Sequence, residues 1–473
     1  MIHFGTGGWR AIIGDDFTRE NINKVGQAIA DYLKEKGQTD KPIMIGYDRR
    51  FLSQSGAKWI SEVLAGNGLE VKVMKRSAPS PLVMHTVKKQ NLYCGLEITA
   101  SHNPPEYDGI KIIVEEGRDA PLEVTNRIEE LIAAQKEIKK IDYSDGVEKG
   151  LISFIKNPFN DFIDDILRVL DTNAIRERGL RVLFDPMHGS GTYPLEVIFN
   201  TCRITVDEIN NNKDAYFEGG YPAPSEKTLV SLADKVVKGG YDMGIAFDGD
   251  GDRLAVIDSS GRYVSMNEIL AMLYWYLHEK KGWKGPVVRN VCTTHVLDRM
   301  AKTFGEECIE VPVGFKWVSA AIDQHNAVLG GESSGGLTVR GHIFGKDGIY
   351  AASLFAEMLA VTGMSIREIS TLIGDTWGYT VFLEKALRFK AEDKININRV
   401  LMEEKKLPSF VSEIEKVSYM DGCKVFFKDG SQVSCRFSGT EPLLRIMTEA
   451  DTKEKAESYL KAFDDFVGAL VLR

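Results

Sequence analysis

The chain has 473 residues, 43% hydrophobic and 27% charged, a globular composition too long for one compact core. At about 150 residues per domain it predicts three or four domains, and 59 Lys and Arg against 68 Asp and Glu give a net charge of −9, which argues against nucleic acid or an anionic membrane as the main partner. The 6 cysteines form no C-x-x-C pair, no apolar run approaches the ~18 residues of a membrane span, and the glycine-rich start lacks a signal-peptide pattern, so the expected location is a reducing cytoplasm.

In chain order, Thr18 caps a helix whose apolar residues Ile22, Val25, Ile29, Tyr32 and Leu33 keep the helical period up to Gly37. Strands follow at 43–47, 71–74 and 93–98, with a helix at 57–64. The last strand delivers Thr99-Ala100-Ser101-His102-Asn103-Pro104-Pro105. Two prolines lack N–H donors and fix φ, so neither helix nor ladder runs on past the serine, and a rigid loop that pushes one hydroxyl out of the fold is expected. A strand at 110–114 bearing Lys111, a charged helix at 124–139 and a linker-like 142–150 close a first α/β domain, 1–150.

The grammar restarts with a strand at 180–184 opening onto Asp185-Pro186-Met187-His188-Gly189-Ser190-Gly191, then a helix at 227–237. A strand at 241–247 delivers Asp248-Gly249-Asp250-Gly251-Asp252-Arg253. Glycines between the aspartates let alternate carboxylates converge, and three convergent carboxylates call for a hard dication: magnesium, calcium or manganese. Asp-Gly is also a hairpin signal and 254–258 reads as a strand, yet two tandem Asp-Gly pairs and a third Asp favour a metal loop over a plain hairpin. Arg253 and Ser259 do not suit the sixth and twelfth positions of an EF-hand. This second domain spans 151–258.

A third round, 259–370, runs through a helix at 267–281, a strand at 287–291, a helix at 296–304 and strands at 309–311 and 328–330. It delivers Gly330-Gly331-Glu332-Ser333-Ser334-Gly335-Gly336, a carboxylate and two hydroxyls suited to grasping a sugar, before a helix at 349–359. From about 370 the pattern changes. Strands at 424–427 and 432–435 flank Asp429-Gly430, and 453–466 reads as a terminal helix, so 371–473 is an α+β domain. It carries Arg436-Phe437-Ser438-Gly439-Thr440-Glu441-Pro442 with Arg445 beyond, hydroxyls and guanidinium groups able to cradle a phosphate. The predicted fold is α/β: three similar α/β domains with mixed sheets plus a C-terminal α+β domain around one central cleft. An acidic phosphosugar-binding protein must concentrate its cations, and Arg10, Lys111, Arg253, Lys316, Arg340, Lys346, Arg436 and Arg445 lie in or near these loops.

Displayed serine, acidic cluster, polyol clasp and phosphate cradle together point to phosphoryl transfer on a phosphosugar. In this order, and with Phe4-Gly5-Thr6-Gly7-Gly8-Trp9-Arg10 at the start, they resemble the α-D-phosphohexomutases, the phosphoglucomutase and phosphomannomutase superfamily, from Phe4 to Arg445. The resemblance implies four domains in a heart shape and an isomerase that moves phosphoryl between O1 and O6 of a hexose. It further implies a phosphoserine at Ser101, one Mg²⁺ at Ser101, Asp248, Asp250 and Asp252, and a hexose 1,6-bisphosphate that is intermediate and activator. Arg10 and Arg253 would stabilise transferring charge, and His102 and Lys111, with Lys346 further off, are the candidates for taking the sugar hydroxyl's proton. Glu332 and Ser334, with Gly314 and Lys316 in Gly314-Phe315-Lys316, would hold the sugar. Arg436, Ser438, Gly439, Thr440 and Arg445 would hold its phosphate. Phe437 stands where the family usually has Pro, and Gly336 where phosphomannomutases and phosphoglucosamine mutases usually have His, which makes glucose phosphate the leading substrate and leaves mannose phosphate open.

The expected partner is a small phosphosugar, without nucleic acid or membrane, for a monomer or homodimer. Two other classes compete. In a haloacid-dehalogenase-type phosphatase Asp248 would be the nucleophile, but Asp252 replaces the usual Thr and the Ser101 loop goes unexplained. A non-catalytic sugar-phosphate sensor could dispense with the serine or the third Asp, and both are present.

Overall fold

The structure, a computed structural model, describes residues 2–5, 8–390, 392–438 and 443–470. Three of its sheets share one wiring. In each, the first strand lies between the second and third, parallel to both, and the third turns back into an antiparallel fourth. These strands are Ile43–Tyr47, Val71–Val73, Cys94–Ile98 and Tyr107–Val114 in the first sheet. They are Arg181–Asp185, Thr205–Glu208, Met243–Phe247 and Leu254–Asp258 in the second, and Val287–Asn290, Cys308–Val311, Leu329–Gly331 and Leu337–Val339 in the third. Cys94–Ile98 and Met243–Phe247 are buried along their whole length, as strands covered on both faces must be.

The Ser101, acidic and Glu332 loops are each the turn between the third strand of their sheet and its antiparallel fourth. The hairpin and metal-loop readings of 248–253 are therefore compatible: Phe247 pairs with Leu254, and the acidic residues are the hairpin's own connection. The first sheet is extended by Gly8–Ile12 against Tyr107–Val114 and by Ile152–Phe154 beside Val71–Val73, so it runs past residue 150. The fourth sheet is antiparallel throughout, in the order Val381–Arg388, Leu443–Ala450, Gln432–Phe437, Cys423–Phe427, Ile414–Ser418.

Thr18 caps the helix Arg19–Glu35 by accepting from Asn21 N. Three readings need correction. The linker-like 142–150 contains the helix Tyr143–Glu148. The helix expected over 267–281 is α-helical only at Met266–Trp275 and widens into a π turn at Tyr276–Lys280. The helix Ser80–Lys89 was hidden behind Pro79 and Pro81, which look like breakers but are tolerated at a helix's first turn.

One large apolar cluster runs through the first three sheets, from Ile2 to Ile366, Ile369 and Ile373 of the helix Ile366–Trp377. The C-terminal domain has its own cluster, from Phe389 to Val467. Among the described residues no single helix is long and apolar enough to cross a membrane.

Candidate active site

The Ser101 loop is held from beneath. Arg50, fully buried, donates to the carbonyls of Ser101 (2.7 Å), Asn103 (2.6 Å), Pro104 (2.8 Å) and Tyr107 (3.0 Å). Asp48 accepts from Thr99 Oγ1 at 2.6 Å, and Thr99 Oγ1 accepts from Ser101 N at 2.9 Å. This bracing sustains a left-handed φ of 52° at Ser101, a conformation costing about 1–2 kcal/mol for a residue with a Cβ.

The hydroxyl is not pushed out of the fold as the sequence suggested. Ser101 is fully buried because the acidic loop of the second sheet closes over it, and Ser101 Oγ donates to Asp248 Oδ2 at 2.9 Å. A Cβ on Gly249 would meet the Ser101 carbonyl at 2.6 Å, so only glycine lets the two loops approach. The Asp185–Gly191 segment supports the acidic loop from the other side, with Ser190 N donating to Gly249 O at 3.0 Å.

Asp248, Asp250 and Asp252 are wholly buried and offer one oxygen each within 4.8 Å of the others. Lys111 Nζ donates to Asp250 Oδ2 (2.5 Å) and Asp252 Oδ2 (2.8 Å), Ser80 Oγ to Asp250 Oδ2 (2.5 Å), and Lys346 Nζ lies 2.9 Å from Asp252 Oδ2. Oδ1 of Asp250 and Oδ1 of Asp252 are buried without a partner, each such oxygen costing about 1–3 kcal/mol. Burial, then the charges of Asp252 and Asp250, push the Asp248 carboxyl up to about 8. Three ionised carboxylates thus do not coexist here at neutral pH without a further cation. The orphaned oxygens and the all-oxygen donor set fit a hard divalent ion such as Mg²⁺.

A cleft of about 410 Å³ opens above this floor, lined by Arg10, His102, Lys111, Arg253, Gly314, Lys316, Glu332, Ser334, Lys346, Arg436, Ser438 and Arg445. Every described residue named as a site candidate therefore lies in the cleft or its floor. Gly439 and Thr440 lie outside the described residues, and Arg340, counted among the clustered cations, is elsewhere, donating to the carbonyls of Lys284 and Asn326.

Glu332 is fixed by Asn290 Nδ2 (3.0 Å) and Gly314 N (2.9 Å), both on its Oε1. Arg436 and Arg445 are cross-strand partners in the fourth sheet, and Arg445 also reaches Glu384 at 3.0 Å. A Cβ on Gly336 would fall 2.1 Å from Cδ of Lys346, so the missing side chain at 336 is the space through which Lys346 reaches the acidic cluster.

Burial, then the charges of Arg253, Arg10 and Lys346, drive the His102 imidazole far below its usual range, so its ring is neutral, with Nδ1 3.2 Å from Ser101 Oγ. Burial pulls the Lys111 ammonium down, but Asp250 and Asp252 outweigh it and the net displacement is upward. Lys111 is therefore a fixed cation, not a proton acceptor, in this arrangement. Asp48, Arg50, Ser80 and Asn290 escaped the sequence reading. Asp48 and Arg50 follow directly on the parallel strand Ile43–Tyr47, and the carboxyl ends of such strands are where sites form.

A serine hydroxyl on a carboxylate cluster, under a cleft walled by cations from four sheets, is the equipment of a phosphotransferase. Family models agree: residues 1–139, 160–261 and 265–375 match domains I, II and III of phosphoglucomutase/phosphomannomutase, and 389–466 its C-terminal domain. A Thermococcus kodakarensis phosphoglucomutase/phosphomannomutase is 30% identical, covering 97% of this chain and 96% of its own. A probable phosphoglucosamine mutase of Pyrococcus furiosus is 32% identical, with 97% and 96% covered. A Thermus thermophilus structure, described as a candidate phosphomannomutase, superposes with a TM-score of 0.85 at 26% identity over 99% of both chains. The chain belongs to the phosphoglucomutase/phosphomannomutase family of α-D-phosphohexomutases, enzymes that are intramolecular phosphotransferases.

Proposed function

We propose that this enzyme interconverts glucose 1-phosphate and glucose 6-phosphate through a phosphoserine at Ser101 and a glucose 1,6-bisphosphate intermediate. The observation that carries the proposal is Ser101 Oγ hydrogen-bonded to Asp248 beneath the cation-lined cleft. Ser101, Asp248, Asp250 and Asp252 would hold Mg²⁺, which when bound neutralises phosphoryl charge and polarises the P–O bond. In the transfer the bond from phosphorus to Ser101 Oγ breaks while one to the sugar oxygen forms, roughly in line. The sugar hydroxyl loses its proton on the side of phosphorus away from the serine. His102, 3.2 Å from Ser101 Oγ, is on the serine side, where its neutral ring orients the hydroxyl, and the serine's proton leaves along its hydrogen bond to Asp248 when Ser101 is rephosphorylated by the bisphosphate. Lys111, bonded to two carboxylates, serves as a cation with Arg10 and Arg253, and Lys346, bonded to one, would accept the sugar's proton only as the neutral amine.

Glu332 and Ser334, with Gly314 and Lys316, would hold sugar hydroxyls, and Arg436, Ser438 and Arg445, with Gly439 and Thr440 of the same loop, the phosphate remote from the reacting end. Because that cradle reads phosphate alone, it serves the intermediate in both orientations. Gly336, with its place taken by Lys346, supports glucose phosphate over the sugars of His-bearing relatives. We assign the phosphoserine, metal, sugar and phosphate loops to four domains at 1–150, 151–258, 259–370 and 371–473.

The test is intact mass after incubation with glucose 1,6-bisphosphate, followed by turnover on glucose 1-phosphate, mannose 1-phosphate and glucosamine 1-phosphate. One phosphate stable on Ser101 and the highest kcat/KM for glucose 1-phosphate are expected. A labile acyl phosphate on Asp248 would make it a dehalogenase-type enzyme, no phosphate a sensor, and preference for another sugar would overturn the substrate assignment.

A further inference from the structure

A second cavity, of about 590 Å³, opens where the first three sheets meet and shares no lining residue with the cleft. Its size suits a small molecule. Lys88, Lys89, Arg168 and Arg340 face a single carboxylate, Asp165, in its lining, although the chain as a whole carries −9. Asp165 is already shared by Arg168 (2.5 Å), Lys89 (2.6 Å) and His85 Nε2 (2.8 Å). Lys88 donates only to the His342 carbonyl at 2.5 Å, and Arg340 only to the carbonyls of Lys284 and Asn326 at 3.0 and 3.2 Å. Neither forms an ion pair with a carboxylate among the described residues; Glu116 and Asp323 act on Lys88 only from beyond contact distance, and burial still pulls its ammonium down. Partly buried cations without counter-charge are costly unless an anion joins them. His85, buried in the same wall, has its Nδ1 without a partner, and Trp283 and Tyr350 supply apolar surface for a ligand's body.

We propose that this cavity binds a small organic phosphate carrying two or more negative charges, at a site separate from the hexose cleft. Lys88 and Arg340 lack an ion-pair partner and Lys89 and Arg168 share a single carboxylate, so a compact ligand with two or more charges suits the four together, and phosphate oxygens match ammonium and guanidinium donors. Two short paths join the cavity to the acidic cluster. His85, Lys88 and Lys89 lie on the helix Ser80–Lys89, whose first residue bonds Asp250, and ten residues of helix span only about 15 Å. His342 bonds Asp347 at 2.6 Å, the neighbour of Lys346. Occupation of the cavity thus tightens two elements that end at the reacting groups.

The probe is inorganic pyrophosphate, titrated by calorimetry into full-length, EDTA-treated enzyme at about 0.1 M salt, with citrate as a non-phosphate trianion. Two classes of site are expected. Lys88→Ala with Arg340→Ala should weaken one class at least tenfold and leave the class that Arg436→Ala with Arg445→Ala removes. Arg168→Glu changes an exposed rim residue without threat to folding, and should weaken the same class threefold or more, deciding the matter even if the double variant is misfolded. An unchanged isotherm in the cavity variants, or citrate held there as tightly as pyrophosphate, overturns the proposal.

Discussion

The first three sheets share one apolar cluster, with backbone hydrogen bonds and the Lys111 and Lys346 ion pairs added to it, whereas the C-terminal domain keeps its own cluster and meets them through polar contacts. Phe162 lies between His85 of the first domain and His342 of the third, with ring centroids 5.3 and 6.4 Å away. Ser80 N donates to Asp250 O (2.9 Å), Leu254 N to Gly335 O (3.0 Å) and Gly348 N to Gly251 O (3.2 Å), so the loops are tied main chain to main chain. Against the C-terminal domain the contacts are polar. Glu449 accepts from Thr294 Oγ1 (2.5 Å) and His295 N (2.9 Å), Asp421 from Val313 N (2.8 Å), and Lys424 donates to Val291 O (2.7 Å) and Glu310 (2.5 Å). Ser101, the acidic cluster and the Glu332 loop are thus tied into one packed unit. The proposed phosphate cradle rides on a part with polar contacts to the rest, which is the arrangement that closure over substrate would use.

The comparison breaks if chemistry and closure cannot be separated by mutation. Ser101→Ala should lower kcat by about a thousandfold or more, over 4 kcal/mol of barrier, with the unfolding midpoint unchanged. A loss under tenfold would remove Ser101 from the chemistry. Phe162→Ala should cost about 3–5 kcal/mol of stability in urea, since it opens a cavity between three domains. If only the C-terminal domain loosened, the apolar joint would not be what binds the first three.

On the polar side, Arg445→Ala loses a charge-assisted contact of about 1.5–3 kcal/mol, and KM for glucose 1-phosphate and mannose 1-phosphate should rise alike, by about tenfold or more. A loss confined to one sugar would mean that this loop reads sugar rather than phosphate. Glu449→Ala, which leaves the His295 N–H buried without its acceptor, should cost about 1–3 kcal/mol. It should speed limited proteolysis between residues 378 and 390 while the first three domains unfold as before.

The smallest effect is one of pH. Burial, then Arg289, pulls the Lys424 ammonium down to about 8 from 10.5. The folded protein then binds fewer protons at this group than the unfolded chain between those values, so stability from it rises with pH across that window and is flat below it. Wild type should gain on Lys424→Met by no more than about 1 kcal/mol per pH unit from pH 8 to 10. A difference that does not move with pH would show that Lys424 keeps its proton throughout.

Much of this was legible in the sequence because the chemistry sits in contiguous loops after apolar strands. Ser101, the three aspartates, Glu332 and Arg436 each announce themselves by neighbouring glycines or prolines. Arg50 does not: its side chain's four hydrogen bonds go to carbonyls at least 51 positions away, and no local pattern encodes such a contact. The burial of Ser101 escaped for a related reason, since the loop that covers it comes from another sheet. Val381–Arg388 was missed because it is an edge strand with little burial, lacking the alternation that betrays a half-buried one.

The trade of volume between Gly336 and Lys346 couples two positions that are ten residues apart. A side chain at 336 would have to displace Lys346 from its present path. A side chain grafted at 336 alone would push Lys346 off Asp252, so it would alter the charge around the acidic cluster as well as the shape of the cleft.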